Sequence, residues 1–417
     1  MLETMIGAAG LAVAVLAAAL AWSPQRLASR DRGVARFLRV RRHVRAHRAD
    51  LTERCIERQA EHRADESLPV LTRPGWIPAR PLPLAAVKLV LREALPQEQL
   101  HRARADLRRH WPREAGKGRL ETYAAAVEAL DRPGIWFNGP SYRLLEVTPP
   151  SADRPDEGPR LTLALGHYFD GLDTSEVLAY EEALLDLRGR TEPLRGPYRR
   201  GLGDPFKLDT RAAMPGVSTL TVRTEGSDAF FFMHRREGSE VAVAKDITHV
   251  VPAGEFQPHV DVPPVWKSDL DLWRTTMREY AEEFLGAPDA SGGGGVTLDY
   301  AHDAPYADFE QALREGRVRV RFLGIGLDPL VWKPEILLVC VWDAEVFDRI
   351  FTSMGQRNEE GVLVVGSRAG GGYRGIRFIE ENVLGYASHK DTLPSGRACL
   401  ALAWRWRREL GLSGSDR

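Results

Sequence analysis

Apolar and polar positions alternate strictly over "RVRVRF", Arg317 to Phe322, putting Val318, Val320 and Phe322 on one face and three arginines on the other. A period of two is that of a strand with one buried side. Strands are likewise expected at "YRLLEVTPP" (Tyr142 to Pro150), "RLTLALGHYF" (Arg160 to Phe169), "VSTLTVRT" (Val217 to Thr224), "AFFFMHRR" (Ala229 to Arg236), "SEVAVAK" (Ser239 to Lys245), "THVVPAG" (Thr248 to Gly254) and "PEILLVCVWD" (Pro334 to Asp343). "REGS", Arg236 to Ser239, reads as a hairpin turn. Elsewhere the period lengthens. In "SDLDLWRTTMREYAEEFLG" the residues Leu270, Trp273, Met277, Tyr280 and Phe284 recur every three or four positions, the mark of an amphipathic helix. Helices are also expected at Asp173 to Gly189, near Leu84 to Trp111, at Gly118 to Leu130, at "IRFIEENVLGYA" and at "SGRACLALAWRWRREL". Strands and helices interleave without a regular βαβ period, so the expected class is α+β, a mixed sheet flanked by helices.

The first part of the chain has a different texture. The run from Thr4 to Gln25 carries no charge and holds "MIGAAGLAVAVLAAALAW", Met5 to Trp22. At 1.5 Å per residue such a helix reaches about 30 Å, enough to cross a hydrocarbon core. Arg26 to Arg48 then supplies nine arginines against one acid. By the positive-inside rule this holds the following chain in the cytoplasm, as a single-pass protein of the cell inner membrane. The arginines also suit anionic lipid headgroups. A polar helix-favouring stretch follows, read as a juxtamembrane stalk with the capacity to self-associate. The expected divisions are an anchor over 1–25, the basic helix over 26–67, a proline-rich linker over 68–84, a helical region over 85–133, an α+β domain over 134–345 and an extension over 346–417 packed on it.

Composition narrows the chemistry. The formal net charge is −1, which gives no global case for nucleic-acid binding. Cys55, Cys340 and Cys399 are scattered, so neither a disulfide framework nor a structural zinc site is expected. "GSRAGGGYRG" lacks the Lys-Ser or Lys-Thr of a phosphate loop, and neither GxSxG nor HExxH occurs. What stands out is "REYAEE", Arg278 to Glu283. On a helix, Glu279, Glu282 and Glu283 crowd their carboxylates near one point, and hard cations such as Mg²⁺ take oxygen ligands of this kind. An exposed acidic helix is the plainer reading of the same letters.

"REYAEE" resembles the core of the box that defines Nudix hydrolases, with Tyr280 in the bulky apolar slot. "VPAGEF" (Val251 to Phe256) takes the place of that family's proline–glycine–glycine turn, and "FLGIGLDPLVWKPEILLVCVWD" resembles the strand pair that closes its sheet. The resemblance covers Leu161 to Asp343. It implies Glu282 and Glu283 as Mg²⁺ ligands, Glu279 as ligand or base, Arg278 as the residue that holds the acids in geometry, and Glu255 as a supplementary ligand. The family's glycine and glutamate upstream of the box fall here on Pro264 and Leu270, with Asp269 or Asp271 able to replace the glutamate. The acids are kept while the loop that positions them is altered. The reading that follows is a membrane-anchored module that binds or senses a nucleotide-like molecule without efficient turnover. An active Mg²⁺-dependent pyrophosphohydrolase and a non-catalytic regulatory module are the alternatives. Nudix-like domains joined to membrane helices occur in bacterial nucleotide signalling and phage defence. Arg235, Arg236 and His167 are candidates for ligand contact, because a guanidinium fork suits phosphate and His167 follows a strand end. His249 and His259 flank the glycine turn and are further candidates to face a ligand.

Overall fold

The computed structural model describes residues 24–92, 111–114, 118–134, 136–151, 153–154, 157–189, 196–235, 247–287, 298–352, 354, 362–364 and 375–412. The expected membrane span, the strand at Ser239 to Lys245 and the turn at Arg236 to Ser239 lie outside them. Among the described residues no helix is long and apolar enough to cross a membrane.

Helix α1, Pro24–Arg58, is not the free stalk expected from its charge. Phe37, Val40, Val44, Leu51 and Cys55 share one face and are buried in a core cluster with Tyr123, Tyr180 and Ala183. The inward arginines find acids on the body. Arg41 and Arg45 meet Asp131, Arg48 lies 3.1 Å from Glu176, Arg54 2.9 Å from Asp186 and Arg58 2.8 Å from Glu182. Gln59 ties the helix end down. Its Nε2 donates to the Cys55 and Pro329 carbonyls at 2.9 Å each, and its Oε1 accepts from the Trp332 indole at 2.7 Å. Among the arginines of the run whose burial is described, Arg32, Arg36, Arg39 and Arg42 stay exposed, while Arg41, Arg45 and Arg48 turn to the body.

The proline-rich stretch is not a linker either. Leu68, Val70, Leu71 and Trp76 are buried, and the Leu71 N–H donates to the Leu327 carbonyl at 2.9 Å. Its prolines set an extended path, and the apolar residues between them attach it to the sheet. It ends in the short strand β1, Leu82–Pro83. A second revision concerns the helix expected from Leu84: Lys88–Leu91 is strand β2, paired parallel to Arg160–Leu163. Sheet pairing decides a short apolar run that periodicity leaves ambiguous.

Helix α2, Tyr123–Leu130, starts at Thr122, whose side chain accepts the Ala125 N–H at 3.0 Å. Strands β3, Pro140–Thr148, and β4, Arg160–His167, run antiparallel and with β2 make a three-stranded sheet. Helices α3, Ser175–Asp186, and α4, Pro197–Leu202, follow, and α1 lies along α3.

The main sheet has at its centre two parallel strands, β5, Gly216–Glu225, and β11, Pro334–Asp343. Beyond β5 stand β6, Asp228–Phe231, and β9, Ala253–Glu255, the latter against the first residues of β5. Beyond β11 stand β10, Val318–Leu327, and then β1; β13, Ile376–Arg377, closes the far side. Strands β7, Met233–Arg235, β8, Thr248–Val250, and β12, Val362–Val364, form a separate small sheet. Both faces of the central pair are covered, which is why β11 reads as a nearly continuous apolar run. One face packs on α5, Leu272–Glu283, with α6, Tyr306–Arg314, and α7, Ala344–Ile350. The other packs on α8, Glu380–Ser388, and α9, Pro394–Arg405. The architecture is thus mixed α+β, with helices on both sides of a mixed sheet.

Candidate functional site

Helix α5 is fixed before its acids are considered. The Asp271 side chain caps it, accepting the N–H groups of Trp273 at 2.7 Å and Arg274 at 3.1 Å. Trp273, Met277, Tyr280 and Phe284 form the buried stripe expected from their spacing. Tyr280 is a core residue. Its hydroxyl lies 2.7 Å from Thr221 Oγ1 and accepts the Trp342 indole N–H at 2.9 Å, and its ring packs against Phe284, Phe309, Trp342 and Phe351.

Arg278 is buried beneath this helix in a network of charged and polar groups. Its Nη1 donates to Asp269 Oδ2 at 3.1 Å and to the Tyr300 hydroxyl at 2.6 Å, and Nη2 donates to the Gln257 carbonyl. Asp269, fully buried, also accepts from the His259 backbone at 2.9 Å and pairs with His259 Nδ1 at 2.6 Å. The Leu298 N–H donates to His259 Nε2 at 3.3 Å, so Nδ1 carries the proton and donates to Asp269. Burial alone would raise the Asp269 carboxyl, but the His259 hydrogen bond and the Arg278 charge outweigh it and hold it below the ordinary value. Of the two aspartates able to stand in for the missing glutamate, Asp269 pairs with Arg278 and Asp271 caps the helix. His259 is therefore a structural partner of Asp269, not a residue that faces a ligand. Nothing in the spacing pointed to Tyr300, which arrives from beyond the glycine run.

Glu279 lies against the glycine turn. A Cβ built on Gly254 would sit 2.0 Å from Glu279 Oε1, so only glycine lets the carboxylate approach this strand so closely. Glu282 is half-buried and Glu283 buried. Among the described residues no group of three or more His, Cys, Asp or Glu side chains is arranged to hold a metal ion.

Glu255 belongs to a different cluster. Successive strand residues point to opposite faces, and Gly254 faces α5, so Glu255 faces away from it. Lys333 Nζ lies 3.0 Å from Glu255 Oε2 and 3.7 Å from Glu335 Oε1. Ser141 donates to Glu255 Oε1 at 3.2 Å, and Ser218 donates to Glu335 Oε2 at 3.0 Å. Gly216 is paired in register with both glutamates, one on each side, and a Cβ there would meet Glu335 Oε2 at 2.6 Å. His249 also borders this cluster, with Nε2 3.4 Å from Ser218 Oγ. Burial raises the Glu335 carboxyl despite Lys333 and Ser218. Burial works against the Lys333 ammonium, but the two glutamates hold its pKa well above the ordinary value. Lys333 follows Trp332, which has φ +54°, a strained position for a bulky side chain, held by the Gln59 hydrogen bond and by Arg199 lying 4.8 Å over its ring.

The remaining candidates are dispersed. His167 is exposed at the end of β4, where its backbone N–H donates to Asp170 Oδ2 at 3.2 Å. Arg235 is exposed on β7, in the separate small sheet, and Arg236 lies outside the described residues. Burial pushes the Cys55 and Cys340 thiols up to about 12, so neither offers a thiolate near neutral pH. No protein-family model matches the chain, and a comparison with curated proteins finds no similar one.

Proposed function

We propose that the chain is a membrane-anchored protein whose Nudix-like module binds or senses a nucleotide or a nucleoside-diphosphate-like molecule without efficient turnover. The observation that carries this reading is the seating of Glu279 on Gly254. It brings the helix of "REYAEE" and the turn of "VPAGEF" together, as the resemblance requires, while the buried Arg278–Asp269 pair holds the helix base. Two facts favour binding over turnover. Glu255 is engaged by Lys333 on the opposite face, and Glu283 is buried. The anchor reading rests on the uncharged run from Thr4 to Gln25, with the exposed Arg32, Arg36, Arg39 and Arg42 as its complement for anionic headgroups.

The test is the melting temperature of the full chain with and without Mg²⁺, across nucleotides and dinucleotides, with release of nucleoside monophosphate assayed in the same mixtures. The full chain is required because α1 is part of the core. A ligand at a hundred times its Kd adds about 2.7 kcal/mol of stability. Stabilisation without release of nucleoside monophosphate is the expected result. Turnover that disappears in Glu282→Gln or Glu283→Gln would instead make the protein a pyrophosphohydrolase. No shift with any ligand would leave α5 a structural helix.

A further inference from the structure

Strand β3 and the segment 204–213 meet in a seam, where the Leu144 N–H donates to the Ala213 carbonyl at 2.8 Å. Two arginines are buried in it, Arg143 at 3% exposure and Arg211 at 2%. Arg143 donates from Nε to the Arg211 carbonyl at 2.9 Å and from Nη2 to the Asp209 carbonyl. Arg211 donates from Nη2 to the Pro205 carbonyl at 2.9 Å, while its Nε and Nη1 are buried and meet no acceptor among the described residues. The carboxylates nearby are committed elsewhere. Asp204 pairs with Arg73 at 2.7 Å and accepts the Phe206 N–H at 2.9 Å, and Asp170 accepts the His167 N–H. Asp209 contributes its backbone carbonyl.

Arg278 is buried as deeply and shows what the chain does when it supplies its own anion: Asp269 pairs with it. In the seam two like charges sit together; Asp170, Asp204 and Asp209 favour them from a distance, but the acceptors their donors meet are backbone carbonyls. Burial pushes Arg211 down to about 10 against the opposing influence of Tyr198 and Asp204, the neighbouring Arg143 adds to the fall, and Arg211 stays cationic at neutral pH. A guanidinium held out of water without an anion is disfavoured by several kcal/mol, and arginine does not escape by losing its proton. Free donors on a planar cation are what oxyanions and halides bind.

We propose that Arg211 and Arg143 form a binding site for a small inorganic anion, chloride or phosphate, resident in the seam. The site lies just before Gly216, where the chain enters the main sheet, so an anion there would fasten the three-stranded sheet to it.

The experiment is thermal unfolding of the full chain at fixed ionic strength, titrating chloride or phosphate against gluconate, a bulky organic anion. The midpoint should rise and saturate with one of the two ions, which identifies the source, and stay flat in gluconate. Saturation separates site binding from the general exclusion of salts from protein surfaces. Arg211→Met should weaken the apparent affinity at least tenfold. Isothermal titration of wild-type chain with phosphate, and ³⁵Cl line broadening with chloride, keep the question decidable should that variant fail to fold. Equal midpoints in all three anions, no saturable binding to wild-type chain, or a response retained in Arg211→Met would overturn the proposal.

Discussion

The two faces of strand β9 carry two polar networks of opposite design. On the α5 face Arg278, Asp269, His259 and Tyr300 form a closed set in which each charge has its partner and little meets solvent. On the other face one ammonium serves two carboxylates, Lys333 between Glu255 and Glu335, and its side chain is 29% exposed. Adjacent residues, Gly254 and Glu255, contribute to the two sides. A closed network fixes structure, and its members are costly to remove one at a time. An open one with an unequal charge count changes its state with pH.

The largest expected effect comes from breaking the closed network. Asp269→Ala leaves Arg278 buried without its anion and His259 without its acceptor. Loss of one partner from a buried pair costs about 3–5 kcal/mol, read from urea unfolding midpoints. The wild-type network also sets a direction with pH. Because the Asp269 carboxyl is held below its ordinary 3.8, its contribution is complete above that value and is lost as pH falls through the folded-state value. A penalty under about 1 kcal/mol would mean that the network is dispensable.

The next effect concerns the contact that separates the two faces. Gly254→Ala places a methyl where Glu279 Oε1 now lies, 2.0 Å from the new Cβ, so either α5 or the glutamate must move. Overpacking of this kind costs about 1–3 kcal/mol. Adding Glu279→Ala should recover most of it, because the obstruction is one side chain. A double-mutant cycle with no coupling would show that the two residues do not touch in solution.

These two sites mark how far the sequence could be read. Periodicity located α5, its buried stripe and the central strands, because each depends on local spacing. The resemblance offered Asp269 or Asp271 in place of a glutamate, but it gave Arg278 the acids of its own helix as partners, not the Asp269 it pairs with. It could not divide Glu255 from Glu279, since the pleat puts neighbours on opposite faces only once strand register is known, and register is set by pairing with Gly216. The packing of the α1 arginines was illegible for a related reason. Charge is legible in the chain, but whether a given arginine faces solvent or Glu176 and Asp186 depends on α3, more than a hundred residues away. Buried positions such as Phe37 and Leu51 gave the helical spacing, yet a sparse apolar stripe does not say what covers it. Lys333 carried no signal at all, because it becomes a site residue only through the hairpin turn at Trp332.

The most diagnostic effect should come from the open network. In Lys333→Met the two carboxylates lose their shared counter-charge while Ser141 and Ser218 remain. The cost near neutral pH is about 1–3 kcal/mol, that of leaving partly buried polar groups uncompensated. Its pH dependence should run opposite to that of Asp269. Glu335 already has a folded-state value above its ordinary 4.5, so its contribution is complete below that pH and declines as pH rises through the raised value. Lys333 is an influence that lowers this value, so removing it raises the value further and moves the decline to higher pH. The penalty in Lys333→Met should therefore shrink as the solution is acidified toward pH 4.5, when protonation removes the repulsion between the glutamates. Glu335→Gln in the same background should remove both the penalty and its pH dependence. A penalty that stays constant from neutral pH into the acid range would mean that Glu255 and Glu335 do not share one charge, and that the two faces of β9 differ in exposure only.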